Sequence, residues 1–283
     1  MDEFFVDLPE TRLFVRAWGG PDSRPVVYWH GVNIRARASM AVNEAGPLLA
    51  EHGLRILALD APGFGSSPAL DPPAYHPHAL ADLVPQLLDA LGIPRAPLVG
   101  FSWGGDIGCH VGARHADRLT ALVILDAGYS DPPFEPTQPL KERVAENEVA
   151  FEEYSVSSWD EVFAEARQRH RRWSAEVEAS VRAGRREQNG RIVPAGDPRV
   201  IAAVEHGIAQ APPSTTRPAL AASGLPVLLV ASDDAGQDDL ASLAAQVPQA
   251  EIHQPGGVGH DVLVDGYPDV VHFVGTWLER LPS

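Results

Sequence analysis

The sequence predicts an α/β protein: a mostly parallel sheet with helices on both faces, interrupted by a helical insertion. Three observations carry this. Short, continuously apolar segments alternate with helix-periodic ones from residue 25 to residue 125, and again from residue 226 onward. Continuous apolar runs suit strands buried on both faces, as in parallel sheets. Between these halves, residues 131–217 keep helical spacing and lack any convincing strand pattern. Finally, Gly100-Phe101-Ser102-Trp103-Gly104 stands between an apolar strand and a helix-compatible stretch, which reads as strand, sharp turn, helix.

The elements follow in order. Residues 4–8 and 13–18 read as an antiparallel pair. Pro25-Val26-Val27-Tyr28-Trp29 is an apolar strand ending at His30-Gly31. Residues 38–52 read as a helix stopped by Gly53, and 54–59 as a buried strand ending at Asp60. Residues 75–91 form an amphipathic pattern despite Pro77 and Pro85, with Gly92 as its stop. Ala96-Pro97-Leu98-Val99 leads into the turn, a helix runs to about His115, and 119–125 is a fully apolar strand. Within the insertion, Leu140, Val144, Phe151 and Tyr154 fall at helical spacing, as do Trp159, Val162, Phe163, Ala166 and Trp173. The α/β pattern resumes with a strand at 226–230, a helix at 240–246, a strand at 250–253 and a helix from about 270 to 281. The domain expectation is a core of residues 1–130 and 218–283, with a helical cap over 131–217.

Composition narrows the partners. The 283 residues hold 22 basic and 38 acidic side chains, a net charge of −16, so no net positive field attracts nucleic acid or an anionic membrane. One cysteine, Cys109, allows no internal disulfide and reads as a small buried apolar residue. Met1-Asp2-Glu3-Phe4 lacks the basic and apolar regions of a signal peptide, and no run approaches the roughly 18 apolar residues of a membrane span. A soluble, cytoplasmic protein acting on a small molecule is expected. Oligomeric state is left open, a homodimer included.

The chemistry centres on Ser102. In G-x-S-x-G the serine occupies a strained turn, and bulkier residues at the glycines would collide with the backbone around them. A serine hydroxyl needs a neutral imidazole to take its proton, a carboxylate to hold that imidazole, and backbone N–H groups for the developing oxyanion. His260, in Gly256-Gly257-Val258-Gly259-His260, lies in a glycine-rich loop between the last strand and the last helix. The expected oxyanion donors are the N–H groups of Val32, after His30-Gly31, and of Trp103, at the positive end of a helix. His30 is then a loop-orienting residue.

His30-Gly31, Asp60-Ala61-Pro62-Gly63-Phe64-Gly65-Ser66-Ser67, Gly100–Gly105 and Gly259-His260 stand in the order and approximate spacing of one family. The chain resembles the α/β-hydrolase superfamily, in its capped serine hydrolase branch, over nearly its whole length. The resemblance implies the α/β-hydrolase fold: an eight-stranded, mostly parallel sheet, a cap after the sixth strand, and a site at the strands' C-terminal ends. It makes the Asp60 loop a structural turn. It also bears on the acid. Relatives commonly carry it after the strand that follows the cap, in G-x-x-D. Here that turn reads Ala231-Ser232-Asp233-Asp234-Ala235, out of register. The other position, one strand earlier, holds Asp126 at the end of an apolar strand. Asp126 is the favoured acid, with Asp234 and then Asp233 as alternatives. Family members that are epoxide hydrolases or haloalkane dehalogenases use an aspartate at the elbow, so Ser102 argues against both.

The leading expectation is a cofactor-independent serine hydrolase of a small, mainly apolar ester or lactone. The alternatives are a perhydrolase resembling cofactor-free haloperoxidases, a C–C bond hydrolase, and a non-catalytic ligand-binding protein on the same fold. No metal is expected, since His76 and His78 lack a carboxylate or cysteine cluster. No G-x-G-x-x-G suggests a nucleotide cofactor. Arg167, Arg169, Arg171 and Arg172 read as a solvated helix face. Trp29, Trp103 and Tyr129 adjoin the motifs, either lining a pocket or, for Trp103, packing as core.

Overall fold

A computed structural model describes residues 1–32 and 43–281. Eight strands form one sheet: β1 (Asp2–Asp7), β2 (Arg12–Trp18), β3 (Arg24–Trp29), β4 (Leu54–Leu59), β5 (Ala96–Phe101), β6 (Leu119–Leu125), β9 (Val227–Val230) and β10 (Ala250–His253). Their spatial order is β1-β2-β4-β3-β5-β6-β9-β10. β2 pairs antiparallel with both β1 and β4, and the other neighbours are parallel. The helices around the sheet are α1 (Ala45–Glu51), α2 (Pro77–Ala81), α3 (Leu83–Ala90), α4 (Trp103–Arg114), α9 (Arg217–Ser223), α10 (Gln237–Gln246), α11 (Val262–Asp265) and α12 (Asp269–Glu279). Between β6 and β9 lie α5 (Leu140–Glu153), α6 (Trp159–Arg169), α7 (Ala175–Ala183) and α8 (Pro198–Gln210), with a hairpin of β7 (Arg185–Gln188) and β8 (Arg191–Pro194).

The period-two alternation of strands explains two cores. In β6, Leu122 and Ile124 face one side, while Ala121, Val123 and Leu125 face the other. The first side packs under Val84 and Leu88 of α3, Ile107 and Val111 of α4, and Leu240 and Leu243 of α10. The second packs under Leu49 of α1 and Val271, Val274 and Leu278 of α12. Each fully buried leucine or isoleucine of this kind stabilises the fold by about 1.5–3 kcal/mol. Cys109 is buried in the first core. No helix among the described residues is long and apolar enough to cross a membrane.

Four expectations need adjustment. The helix expected over 38–52 lies in part outside the described residues; its described portion is α1. The helix expected over 75–91 is two helices. His76 stays extended before Pro77, and Pro85, which has no N–H and whose ring would meet the carbonyl of Ala81, divides α2 from α3 at Asp82. The insertion contains strands where none was expected. Asn189-Gly190 turns β7 into β8, and both residues take positive φ, 51° and 73°, as a two-residue hairpin turn of this kind requires. Finally, α6 ends at Arg169, so Trp173 lies beyond it, although its ring still meets Phe163 edge-on with centroids 6.2 Å apart.

Candidate active site

The chain runs from β3 outward to β4, then returns to place β5 on the other side of β3. The strand order therefore reverses between β3 and β5, and the C-terminal ends of the strands at such a switch point are the usual ligand position in these sheets. Ser102 sits there. Its backbone is held at φ 50° and ψ −122°, between β5 and α4. A Cβ at Gly100 would approach the Gly104 carbonyl oxygen to 2.2 Å, and one at Gly104 would approach the Trp29 oxygen equally closely. Only glycine fits either position without moving backbone.

Asp126 follows β6, the next strand. It too has positive φ, 48°, which costs a non-glycine residue about 1–2 kcal/mol. Leu125 pairs with Val230 in the sheet, so the residues after β9 lie beside Asp126. Asp126 Oδ1 accepts hydrogen bonds from the Ser232 N–H at 2.7 Å and the Tyr129 hydroxyl at 3.1 Å. Asp126 Oδ2 lies 2.6 Å from His260 Nδ1. His260 Nε2 lies 3.1 Å from Ser102 Oγ. The Phe101 ring leans on the imidazole with centroids 5.1 Å apart.

Electrostatics suit this chain of contacts. Burial pushes the Asp126 carboxyl up, but hydrogen bonds from His260 and Ser232 outweigh it and hold the pKa below the usual range. For His260 burial pulls downward, while the hydrogen bond and charge of Asp126 prevail and raise it. Asp126 is thus a carboxylate that favours an imidazolium beside it, the charge pattern a base needs after taking a proton.

The Val32 loop is held from below. His30 is buried; its Nε2 accepts from the Ala61 N–H at 3.0 Å, so Nδ1 carries the proton and donates to the Gly31 carbonyl at 2.7 Å. Burial pushes its pKa down to about 4, so it stays neutral. Asp60 caps its own turn by accepting from the Ser66 N–H at 2.9 Å. The Trp103 N–H is the first of α4, where helix N–H groups lack partners within the helix.

Other residues singled out in the sequence lie elsewhere. Asp234 is exposed beyond β9, and Asp233 pairs with Arg171 at 2.6 Å. Trp29 and Trp103 meet edge-on in the first core, with centroids 5.8 Å apart. His76 accepts from the His78 N–H at 3.2 Å and caps α2. Among the described residues no group of three or more His, Cys, Asp or Glu side chains is arranged to hold a metal ion. The arginines are not one solvated face: Arg169 pairs with Glu165 along α6, whereas Arg171 and Arg172 pair with Asp233 and Glu44 of the core. Tyr129 and Ser232 hold Asp126, a role the sequence pattern does not mark. The out-of-register turn after β9 was the available signal for Ser232.

A serine, an imidazole and a carboxylate in hydrogen-bonded sequence, at the switch point of a mostly parallel sheet, define a protein built like a nucleophilic hydrolase. The family model for the alpha/beta hydrolase fold matches residues 24–267, and the chain belongs to that family. A candidate non-heme haloperoxidase of Mycobacterium phage D29 is 39% identical over 103 residues, 36% of each chain. Epoxide hydrolase A of Mycobacterium tuberculosis is 34% identical over 148 residues, 51% of this chain and 45% of its own. The matches thus span less than half the length of these relatives. The enol-lactonase of Burkholderia xenovorans superposes with a TM-score of 0.72 over 98% of this chain and 100% of its own, at 20% identity, a likeness of fold.

Proposed function

We propose that this protein is a serine hydrolase that cleaves a small, mainly apolar ester or lactone. The observation that carries the reading is the contact chain Ser102–His260–Asp126, at 3.1 and 2.6 Å. Ser102 Oγ attacks the carbonyl carbon as His260 Nε2 accepts its proton. Asp126 holds Nδ1–H and so keeps Nε2 free to act as base. The N–H groups of Val32 and Trp103 stabilise the oxyanion, the latter helped by the positive end of α4. His260 returns the proton to the leaving oxygen, and water resolves the acyl-enzyme by the same steps in reverse order. Residues 131–217 act as a cap that limits water at the acyl-enzyme, over a core of 1–130 and 218–283. Phe101 and the Gly31 turn flank Ser102, so an uncharged carbonyl suits the site.

The similarity to a candidate haloperoxidase favours one second reading, in which peroxide replaces water at the same acyl-enzyme. Epoxide opening is disfavoured, because the elbow carries Ser102 and not a carboxylate. Labelling by a fluorophosphonate probe tests the central assignment: the protein should label, and Ser102→Ala should not. Retained labelling in that variant would overturn it. Turnover of p-nitrophenyl esters and lactones, with peroxide-dependent halogenation assayed alongside, separates the two reactions.

A further inference from the structure

The arginine-rich stretch of the insertion meets the loop that carries His260. α6 ends because His170 leaves the helix with φ −93° and ψ 128°. The chain then turns toward the core. Arg172 grips Glu44 with two contacts of 2.6 Å and lies over the Tyr267 ring at 4.5 Å. Arg171 reaches the histidine loop. Its Nη1 donates to Asp233 Oδ2 at 2.6 Å, and its backbone N–H donates to Asp265 Oδ1 at 2.9 Å.

Asp233 is the other half of the connection. The same Oδ2 accepts from the Gly257 N–H at 2.9 Å, and the Asp233 N–H donates to the Val258 carbonyl at 2.9 Å. Asp265 closes the far side, in α11, five residues after His260. A Cβ at Gly259 would lie 2.6 Å from Asp265 Oδ2 and 3.4 Å from Arg171 Nε. The Asp265 carboxylate and the Arg171 guanidinium thus crowd Gly259, the residue before the imidazole, while Asp233 ties the guanidinium to Gly257.

We propose that Arg171 is a positioning residue for His260: docking of the insertion through Arg171 fixes the loop that presents the imidazole to Ser102 and Asp126. Three of the four residues before His260 are glycine, and glycine loses the most backbone freedom on ordering. Such a loop needs ties from outside itself. The His260 side chain is 59% exposed, so packing supplies only part of them. The Arg171 guanidinium on Asp233, with the backbone N–H on Asp265, supplies directional, charge-assisted bonds. It also links cap docking to completion of the site. The turn after β9 can do this because Asp126, on the neighbouring strand, faces the imidazole in place of Asp233.

The kinetic consequence rests on the proposed hydrolase reading; the loop consequence does not. The test compares Arg171→Ala, Arg171→Lys and Asp233→Asn with the wild type. Asparagine keeps an acceptor for Gly257 while removing the charge. Hydrogen exchange of the peptide spanning 255–262 is read first. Arg171→Ala and Asp233→Asn should exchange faster there and nowhere in the sheet, and Arg171→Lys should remain near wild type. Ester kinetics are read second. Arg171→Ala should lower kcat roughly 3–5-fold with little change in KM, as befits a partly exposed pair. The gap should narrow near 1 M salt, where the screening length falls to about 3 Å. Unchanged exchange in Arg171→Ala overturns the proposal, whatever the turnover. Equal losses in the alanine and lysine variants, independent of salt, also overturn it in favour of simple packing. Faster exchange in a protein without ester turnover upholds the positioning of the loop and removes the hydrolase reading alone.

Discussion

Replacing Asp126 with asparagine tests the proposed base most sharply, because it alters a proton and almost no volume. In the wild type Oδ1 accepts from Ser232 N–H and Tyr129 O–H, and Oδ2 faces His260 Nδ1. Asparagine must keep its oxygen toward those two donors, since an NH2 group there would leave the Ser232 N–H without an acceptor. Its NH2 group then faces Nδ1. Nδ1 becomes an acceptor, the ring proton moves to Nε2, and Nε2 points a hydrogen at Ser102 Oγ, 3.1 Å away. The base is present in the wrong tautomer. Loss of that orientation costs on the order of 10³–10⁴ in kcat, or about 4–5.5 kcal/mol in the barrier. Asp234→Asn, at an exposed position, should stay within about 2-fold of wild type, the range of ordinary surface substitutions. The assay is p-nitrophenyl ester turnover with kcat and KM resolved. Turnover in Asp126→Asn within 10-fold of wild type, or an equal collapse in Asp234→Asn, refutes the reasoning.

The rate should respond to pH through the same pair. His260 must be neutral to act as base and its pKa is raised, so kcat/KM should climb with pH through an inflection above about 6.5; an inflection at or below that value contradicts the geometry. Asp106, buried in α4 and accepting from the Gly128 N–H, has its pKa pushed by burial to about 7. It favours folding fully below about pH 4 and loses that contribution as pH rises through 7, so Asp106→Asn should gain in Tm over wild type at pH 8 and not at pH 4, as calorimetry can show. Gly104→Ala, whose Cβ would meet the Trp29 carbonyl, should lower stability by about 3 kcal/mol or more, seen as a lower urea midpoint at unchanged slope.

The parts of this molecule legible in its sequence are those written in local pattern. Apolar runs such as 119–125 mark β6 because a strand buried on both faces has no polar positions to spare. The elbow is legible because its glycines answer a steric demand within five residues. The hairpin at 185–194 was missed although Asn189-Gly190 is a strong turn signal. β7 is wholly polar, with Arg186, Glu187 and Gln188 exposed, and β8 offers only the short apolar run Ile192-Val193-Pro194, too little for a strand pattern to be read.

What the sequence ranks without deciding is pairing in space. Whether a carboxylate after β6 or one after β9 faces His260 depends on the register Leu125–Val230, which sets Asp126 and Ser232 side by side. That register puts the Ser232 N–H on the Asp126 carboxylate and turns Asp233 outward, toward Arg171. The same step therefore determines two things: which acid meets the imidazole, and which acid receives the insertion. The direction taken by Arg171 was equally hidden, because it follows from one backbone angle at His170, where a periodic pattern simply stops. A motif that is out of register is thus informative in a specific way. It marks a turn whose carboxylate has been released from one contact and is available for another, and here the released carboxylate holds the loop of the histidine it does not touch.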